Sequence, residues 1–319
     1  MKKSFAIVTD IHGNFTALDA VLDDIRSCRE NSSTDAIEIL CLGDSFDGGP
    51  EPKRVFDALK VLSCVHLRGN HEDYLFDCAR HPEHEKYSRP LWKFVPWTVG
   101  QLGEVLGEAE KWCVDSWSDS SAGLNAVHAD KNKNHRVPDF YANQSGLSPA
   151  FFEEFKFSGH SALFVNGHSH YLGRHVNPNA DEVWINCGSV GYPFVEKPEG
   201  CGDAPIATWV WVEIEVTPQL GRCVRAVCRR VPYSSDALLQ NYMKSGALEA
   251  CAPFSFAIAA QSLFNQDVVY PFFQQVKGLH LTPREMAALL VRELEKQSVP
   301  DRINRMLNTL GHSSLSLRT

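Results

Sequence analysis

Short apolar runs alternate along the first two thirds of this chain with stretches in which apolar residues recur at helical spacing. Ser4 to Thr9 is the first run, and Leu18, Val21, Leu22 and Ile25 then fall at i, i+3, i+4 and i+7, the stripe of a helix buried on one side. Ala36 to Leu42 and Val55 to Leu62 repeat the pair. Val61 to Leu67 is expected as a third buried strand, Leu124 to Val127 as a fourth, Ala162 to Asn166 as a fifth and Trp184 to Cys187 as one more. Between Tyr74 and Ser121 the spacing of Trp92, Trp97, Leu102, Leu106 and Trp112 predicts helices whose indole rings turn to a core. Thr208 to Val216 and Arg222 to Val231 are long alternating strands around Pro218 to Gly221, a hairpin. Strand followed by helix, several times over, predicts an α/β protein.

The pattern changes at about Gly246. No unit of strand and polar loop follows it, and Thr282-Pro283-Arg284-Glu285 is a capping box with proline at the first helical position, ahead of the apolar positions Met286, Leu289, Leu290 and Leu294. Ser298 to Asp301 repeats the start signal, and Ile303, Met306, Leu307 and Leu310 form a second stripe that Gly311 stops. The expected division is an α/β domain over residues 1–245 and a helical C-terminal extension over residues 246–319. The extension would pack on the domain or on a second copy in a homo-oligomer.

With 319 residues, 44% of them hydrophobic, the chain is long enough to bury a substantial core. A formal charge of -8 argues against a nonspecific grip on nucleic acid. Ten cysteines lie between Cys28 and Cys251 without a Cys-x-x-Cys pair, several inside apolar runs as buried free thiols are, so a reducing, cytoplasmic setting is expected. Asp10 and His12 interrupt the first apolar run too early for a signal peptide, and no stretch approaches the ~20 apolar residues of a membrane span. No membrane partner is expected.

Candidate chemistry collects where the strands end. Asp10-Ile11-His12 follows the first strand, Gly43-Asp44 the second, Gly69-Asn70-His71-Glu72 the third, His128 the fourth, and Gly167-His168-Ser169-His170 the fifth. Each has a plainer reading alone: Asp10 can open a turn, Asp47-Gly48-Gly49-Pro50 is an Asp-rich turn, and His128 can be a satisfied structural histidine. In an α/β sheet, however, ligands gather beyond the carboxyl ends of strands, so these loops would converge on one crevice. Asp10 and His12, two apart, would share a face if the backbone stays extended. Asp10, His12, Asp44, Asn70, His128, His168 and His170 combine carboxylate, carboxamide and imidazole without a thiolate, which suits Mn, Fe, Zn, Co or Ni better than a structural zinc site. Seven ligands are too many for one open catalytic ion and suffice for two ions about 3.5–4 Å apart that share a carboxylate. His71 is left over, with an imidazole that can donate a proton near neutral pH.

The order Asp-x-His, Gly-Asp, Gly-Asn-His-Glu, His and Gly-His-x-His resembles the calcineurin-like metallophosphoesterase superfamily. The likeness is nearest to its compact prokaryotic branch of phosphodiesterases and diadenosine-tetraphosphatase-like proteins. It extends over about residues 4 to 243 and includes Asp47-Gly48-Gly49-Pro50, the segment Trp97 to Leu102 and the run Asn186-Cys187-Gly188-Ser189-Val190-Gly191-Tyr192-Pro193. The resemblance implies a four-layer α-β-β-α sandwich, with the helical C-terminal extension appended. It implies two divalent metal ions, manganese before Fe, Zn, Co or Ni. Asp10, His12, Asp44 and His170 would hold one ion and Asp44, Asn70, His128 and His168 the other, with Asp44 as the bridge. His71 would be the catalytic acid that protonates the leaving oxygen after attack by a hydroxide shared between the ions.

The expected substrate is small and phosphorylated, a phosphodiester or a nucleotide. The alternatives are a phosphomonoesterase or protein phosphatase, or an interaction scaffold of weak activity. Phe194 stands where the branch usually has Arg, Cys187 where it has Pro, and Gly48 where protein phosphatases of the superfamily carry a phosphate-binding Arg. Lys131, Lys133, Arg136 and Arg174 stand just beyond ligand motifs as candidate phosphate contacts.

Overall fold

Alternate residues of strand β1 (Lys2–Val8) serve two different cores, which sets the layering of the whole molecule. Phe5 and Ile7 belong to the core between two sheets, Ala6 and Val8 to the core under the helices. The computed structural model describes residues 2–30, 37–142, 152–177, 179–194, 199–217, 221–279, 281–282, 285–286, 288–290 and 292. Its further strands are β2 (Ile37–Cys41), β3 (Val65–His66), β4 (Ser116–Asp119), β5 (Leu124–Val127), β6 (Glu154–Gly159), β7 (Ala162–Asn166), β8 (Leu172–Asn177), β9 (Glu182–Cys187), β10 (Ile206–Thr217) and β11 (Gly221–Pro232). One sheet has the order β3-β2-β1-β10-β11-β6 and the other β4-β5-β7-β9-β8. Strands β1, β2 and β3 run parallel, as do β5, β7 and β9, so the loops that follow them leave at common ends.

Helices α1 (Phe15–Glu30), α2 (Pro52–Leu62), α3 (Asn70–Arg80), α4 (Phe94–Leu102) and α5 (Leu106–Trp112) join the core on the outer face of the six-stranded sheet. Trp209 and Trp211 of β10 lie in the same core. On the outer face of the five-stranded sheet the described cover is thinner: Tyr141 of α6 (Asp139–Ala142) packs with Val127 and Trp184. The result is an α/β sandwich of two sheets with helices outside.

From the hairpin β10–β11 the chain enters α7 (Ser235–Ser245), α8 (Ala247–Ala250), α9 (Phe254–Phe264) and α10 (Val269–Val276). Helix α9 has buried residues on every side from Phe254 to Leu263, as an element enclosed by others must. Its apolar residues share one continuous core with β1, α1 and α2. Thr282 and Glu285 make reciprocal capping bonds, Thr282 N to Glu285 Oε2 at 2.8 Å and Glu285 N to Thr282 Oγ1 at 3.3 Å. The second stripe, Ile303 to Leu310, lies outside the described residues.

One strand differs from expectation. Val61 to Leu67 is not one strand: α2 continues to Leu62, Ser63 turns into the left-handed region at φ 52°, and only Val65–His66 pairs with β2. Val55, Phe56 and Leu59 carry the buried stripe of α2, which leaves Val61 85% exposed. Strands β4, β6 and β8 had no clear signal, because β4 reads Ser-Trp-Ser-Asp and all three lie at sheet edges. All ten cysteines are free, and no helix among the described residues is long and apolar enough to cross a membrane.

Candidate metal centre

Five loops bring the predicted residues together, three from one sheet and two from the other. Asp10 and His12 follow β1, Asp44 follows β2, Asn70 opens α3 after β3, His128 follows β5, and His168 and His170 follow β7. Seven non-glycine residues among those described have positive φ, and five are Asp10, His12, Asp44, His168 and His170, at 48–64°. The backbone at Asp10 and His12 is therefore not extended, contrary to expectation. A left-handed step at both residues turns the two side chains inward together. Such conformations cost about 1–3 kcal/mol each and persist where the surroundings over-determine them. Close crossing supplies that constraint: a methyl group at Gly69 would overlap Asp44 Oδ1, and one at Gly167 would overlap Thr9 Oγ1 and Asp10 Oδ2.

The side chains form three groups, two built from the predicted ligands and a third of His12, Asp47 and His71 that shares His12 with the first. In the first, His170 Nε2 lies 3.1 Å and His12 Nε2 3.8 Å from Asp10 Oδ1, and the two imidazole nitrogens are 3.2 Å apart. In the second, His128 Nε2 lies 3.2 Å from Asp44 Oδ2, and Asn70 Oδ1 is 3.1 Å from His128 Nε2 and 2.8 Å from His168 Nδ1. The ligand atoms of Asp10, His12 and His170, and those of Asp44, His128 and His168, all lie within 4.8 Å of one another in their own group. His168 N donates to Asp10 Oδ2 at 3.0 Å and joins the groups.

Proton placement shows that these groups fit cations. His12 Nδ1 donates to Asp47 O at 3.1 Å, His128 Nδ1 to Leu42 O at 2.7 Å and His170 Nδ1 to Tyr192 O at 3.3 Å, so all three imidazoles present Nε2 to the crevice. Backbone acceptors behind each ring fix the tautomer a metal ligand needs. Asp10 Oδ1 is buried without a hydrogen-bond donor, and the Asn70 amide faces His128 Nε2, His168 Nδ1 and Asp44 Oδ2, to which its NH2 group donates when turned inward. At Asp10, the carboxylate oxygen and the Nε2 atoms of His12 and His170 converge without a proton to share, the condition a cation relieves.

The electrostatics agree. Burial by itself would raise the carboxyl of Asp44, yet His128 and His71 hold it well below the ordinary range. Asp10 is likewise lowered against its burial, by His170 and His128. Burial opposes a charge on His128, but Asp44 raises it to about 9, whereas burial and the neighbouring His128 take His168 down to about 3. Carboxylates thus favour positive charge on His128, as they do on His71.

His71 sits at the border of the groups but behaves differently. Its Nδ1 lies 2.8 Å from the Asp47 carboxylate, its N–H donates to Asp44 Oδ1 at 2.9 Å, and its side chain keeps 22% exposure. Burial lowers its pKa, and Asp47 and Asp44 overcome this and raise it to about 10. The ring packs edge-on to His12 at 4.8 Å and Tyr74 at 5.3 Å.

Asp47, Glu72 and Tyr192 stand inside motifs quoted above without a role assigned to them there. Asp47 is fully buried and touches His12 and His71, although three residues past Asp44 it looks like part of a turn. Glu72 accepts from the N–H groups of Asp44 at 2.7 Å, Ser45 at 2.7 Å and Gly69 at 2.8 Å, tying two ligand loops together. The Tyr192 ring lies tilted over His12 at 4.4 Å. Of the basic residues, Lys131 pairs with Glu182, Arg136 with Asp139 at 3.0 Å, and Arg174 lies over Phe155. Ile258 of α9 stands beside Gly48, close enough to crowd any side chain there.

A two-sheet α/β sandwich with Asp and His ligand groups at its strand ends defines the class. A family model described as calcineurin-like phosphoesterase matches residues 3–197, and the chain belongs to that family. The family is one of metal-dependent phosphoesterases, and the Asp and His groups above could hold metal in this chain. An uncharacterized protein of Methanocaldococcus jannaschii is 27% identical over 203 residues, 60% of this chain and 78% of its own. A solved metallophosphoesterase from Sphaerobacter thermophilus matches with TM-score 0.56 at 18% identity, over 82% of this chain and 100% of that one. A putative diadenosine tetraphosphatase reaches TM-score 0.42 at 15% identity, over 73% and 94% of the two chains.

Proposed function

We propose that this protein is a dinuclear metal-dependent phosphoesterase that hydrolyses a phosphodiester or a small nucleotide phosphate. The observation that carries this is the pair of ligand groups, Asp10–His12–His170 and Asp44–Asn70–His128–His168, with a protonated His71 at their border. Asp44, 3.2 Å from His128 Nε2 and accepting from the His71 N–H, would serve both. Two divalent ions, manganese foremost, would supply Lewis acidity toward the phosphate and the attacking water. The chain's own residues do the rest. Asp47 holds His71 at Nδ1, leaving Nε2 to carry a proton to the leaving oxygen. Nearby cations would draw the pKa of His71 down from about 10 toward neutrality, where a general acid works best. Gly48, at φ 96° and with Ile258 beside it, supplies no arginine clamp and weighs against a protein phosphatase.

Metal analysis of protein saturated with Mn(II) should find about two ions per chain. Chelation should abolish turnover, and Mn(II) should restore it. Hydrolysis would be compared on p-nitrophenyl phosphate, its bis ester, cyclic nucleotides and dinucleoside polyphosphates. One ion or none at saturation would sink the dinuclear assignment, and turnover of the monoester alone would sink the diester preference.

A further inference from the structure

Gln261 lies in α9, beyond the residues that match the family, yet it is fully buried behind the crevice. Its Oε1 accepts from Val268 N at 3.1 Å and Val269 N at 2.7 Å, which orients the amide and points Nε2 at the carbonyl of Tyr192, 3.2 Å away. That carbonyl also accepts from His170 Nδ1 at 3.3 Å. Phe194 N bonds His170 O at 3.1 Å, and the Tyr192 ring lies 4.4 Å from His12 and 4.6 Å from His170. The other group, Asp44–Asn70–His128–His168, shows no bond to α9 among the described residues.

We propose that Gln261 is a positioning residue for the Asp10–His12–His170 ion, acting through the Tyr192 carbonyl that orients His170. The proposal rests on the metal reading above. With Gln261 donating, the carbonyl is held where its second lone pair meets His170 Nδ1, and His170 keeps Nε2 toward Asp10. Without that bond the carbonyl is free to turn, and the imidazole loses the acceptor that sets its tautomer and angle. Groups that orient metal-bound histidines in this way affect metal affinity by about 10- to 100-fold. Helix α9 is thereby a working part of one metal site and not of the other.

Gln261→Glu separates the two functions of the side chain. At mildly alkaline pH the carboxylate still accepts from Val268 N and Val269 N but no longer donates to Tyr192 O. Its negative charge would by itself tighten cation binding, so a weakening reports the lost donor. Calorimetric titration with Mn(II) should show one of two binding steps weakened by about 10- to 100-fold and the other unchanged. In a His128→Ala background, which leaves the Asp10–His12–His170 group, Q261E should weaken the remaining binding step by the same factor. In a His12→Ala background it should change nothing.

Asn265→Ala is the control, because Asn265 anchors the same helix through two 2.8 Å bonds to Ile206. It should lower the melting temperature and keep both ions. Unchanged affinities in Q261E, loss at the His128 group, or equal weakening in N265A would each overturn the proposal. A wild-type chain that binds no ion would instead overturn the metal reading beneath it. Should Q261E not fold, the wild-type Gln261 side-chain amide resonances should follow, in a zinc titration, the binding step that His12→Ala removes. Tracking the His128→Ala step would overturn the proposal.

Discussion

Asn70 and His71 adjoin in the chain and differ in what each can do: the amide oxygen faces the ring nitrogens of His128 and His168, and the imidazole faces a carboxylate. His71→Ala should therefore leave metal content near that of the parent while turnover falls by roughly 10²- to 10⁴-fold for a poor leaving group. The loss should shrink for p-nitrophenolate, which departs without a proton; equal losses for both leaving groups would make His71 a phosphate anchor. A second buried histidine gives a pH prediction. His66, bonded to Ser45 Oγ at 2.8 Å and stacked on Trp112, is pushed by burial from 6.5 to about 3. Between those values the unfolded chain binds a proton that the folded one refuses, so stability falls as pH drops below 6.5, by at most about 1.4 kcal/mol per unit from this group. Urea titrations should show a shallower acid decline in His66→Phe than in the wild type. The ligand candidates were legible in the sequence because metal chemistry restricts residue type and each follows an apolar run. Asp47 was not, since its effect passes through His12 and His71, and nothing in the spacing of an Asp-Gly-Gly-Pro turn reveals a buried carboxylate.

At the level of elements, periodicity found the helices and strands whose burial is one-sided or complete, such as α1, β5 and β7. It overran at Val61, where the polar end of a helix and the apolar start of a strand have similar composition, and it passed over the edge strands. Helix α9 shows a different blindness: buried on every side, it has no polar face and so no period to read. Tyr233 OH donates to Ser262 O at 2.9 Å, and Asn265 brackets Ile206, so α9 is seated by polar bonds as well as by its apolar surface. A chain ending near Lys244 would strip Phe254 from Phe94 and Ile258 from Gly48 and leave Ile206 without its partner. It should be recovered as aggregate or as a loosely packed species, visible as lost near-ultraviolet circular dichroism. A soluble truncation with a sharp thermal transition would show that the helices beyond α7 are dispensable for folding.

For the whole molecule, the strand order places distant parts of the chain side by side. Strand β1 pairs with β2 on one edge and with β10 on the other, in register from Lys2 with Glu215 to Ile7 with Val210. That closure also sets the loop from Ser189 to Tyr192 behind Asp10, through Gly191 N to Asp10 O at 2.9 Å and Ser189 Oγ to Asp10 O at 2.7 Å. During synthesis the ribosome releases residues 1–200 first, with every ligand candidate already among them and one edge of β1 still bare. The metal centre is then complete in composition and incomplete in space. An unpaired apolar strand edge recruits other strands, so the interval before β10 emerges is when a nascent chain most needs a chaperone or a slow neighbour.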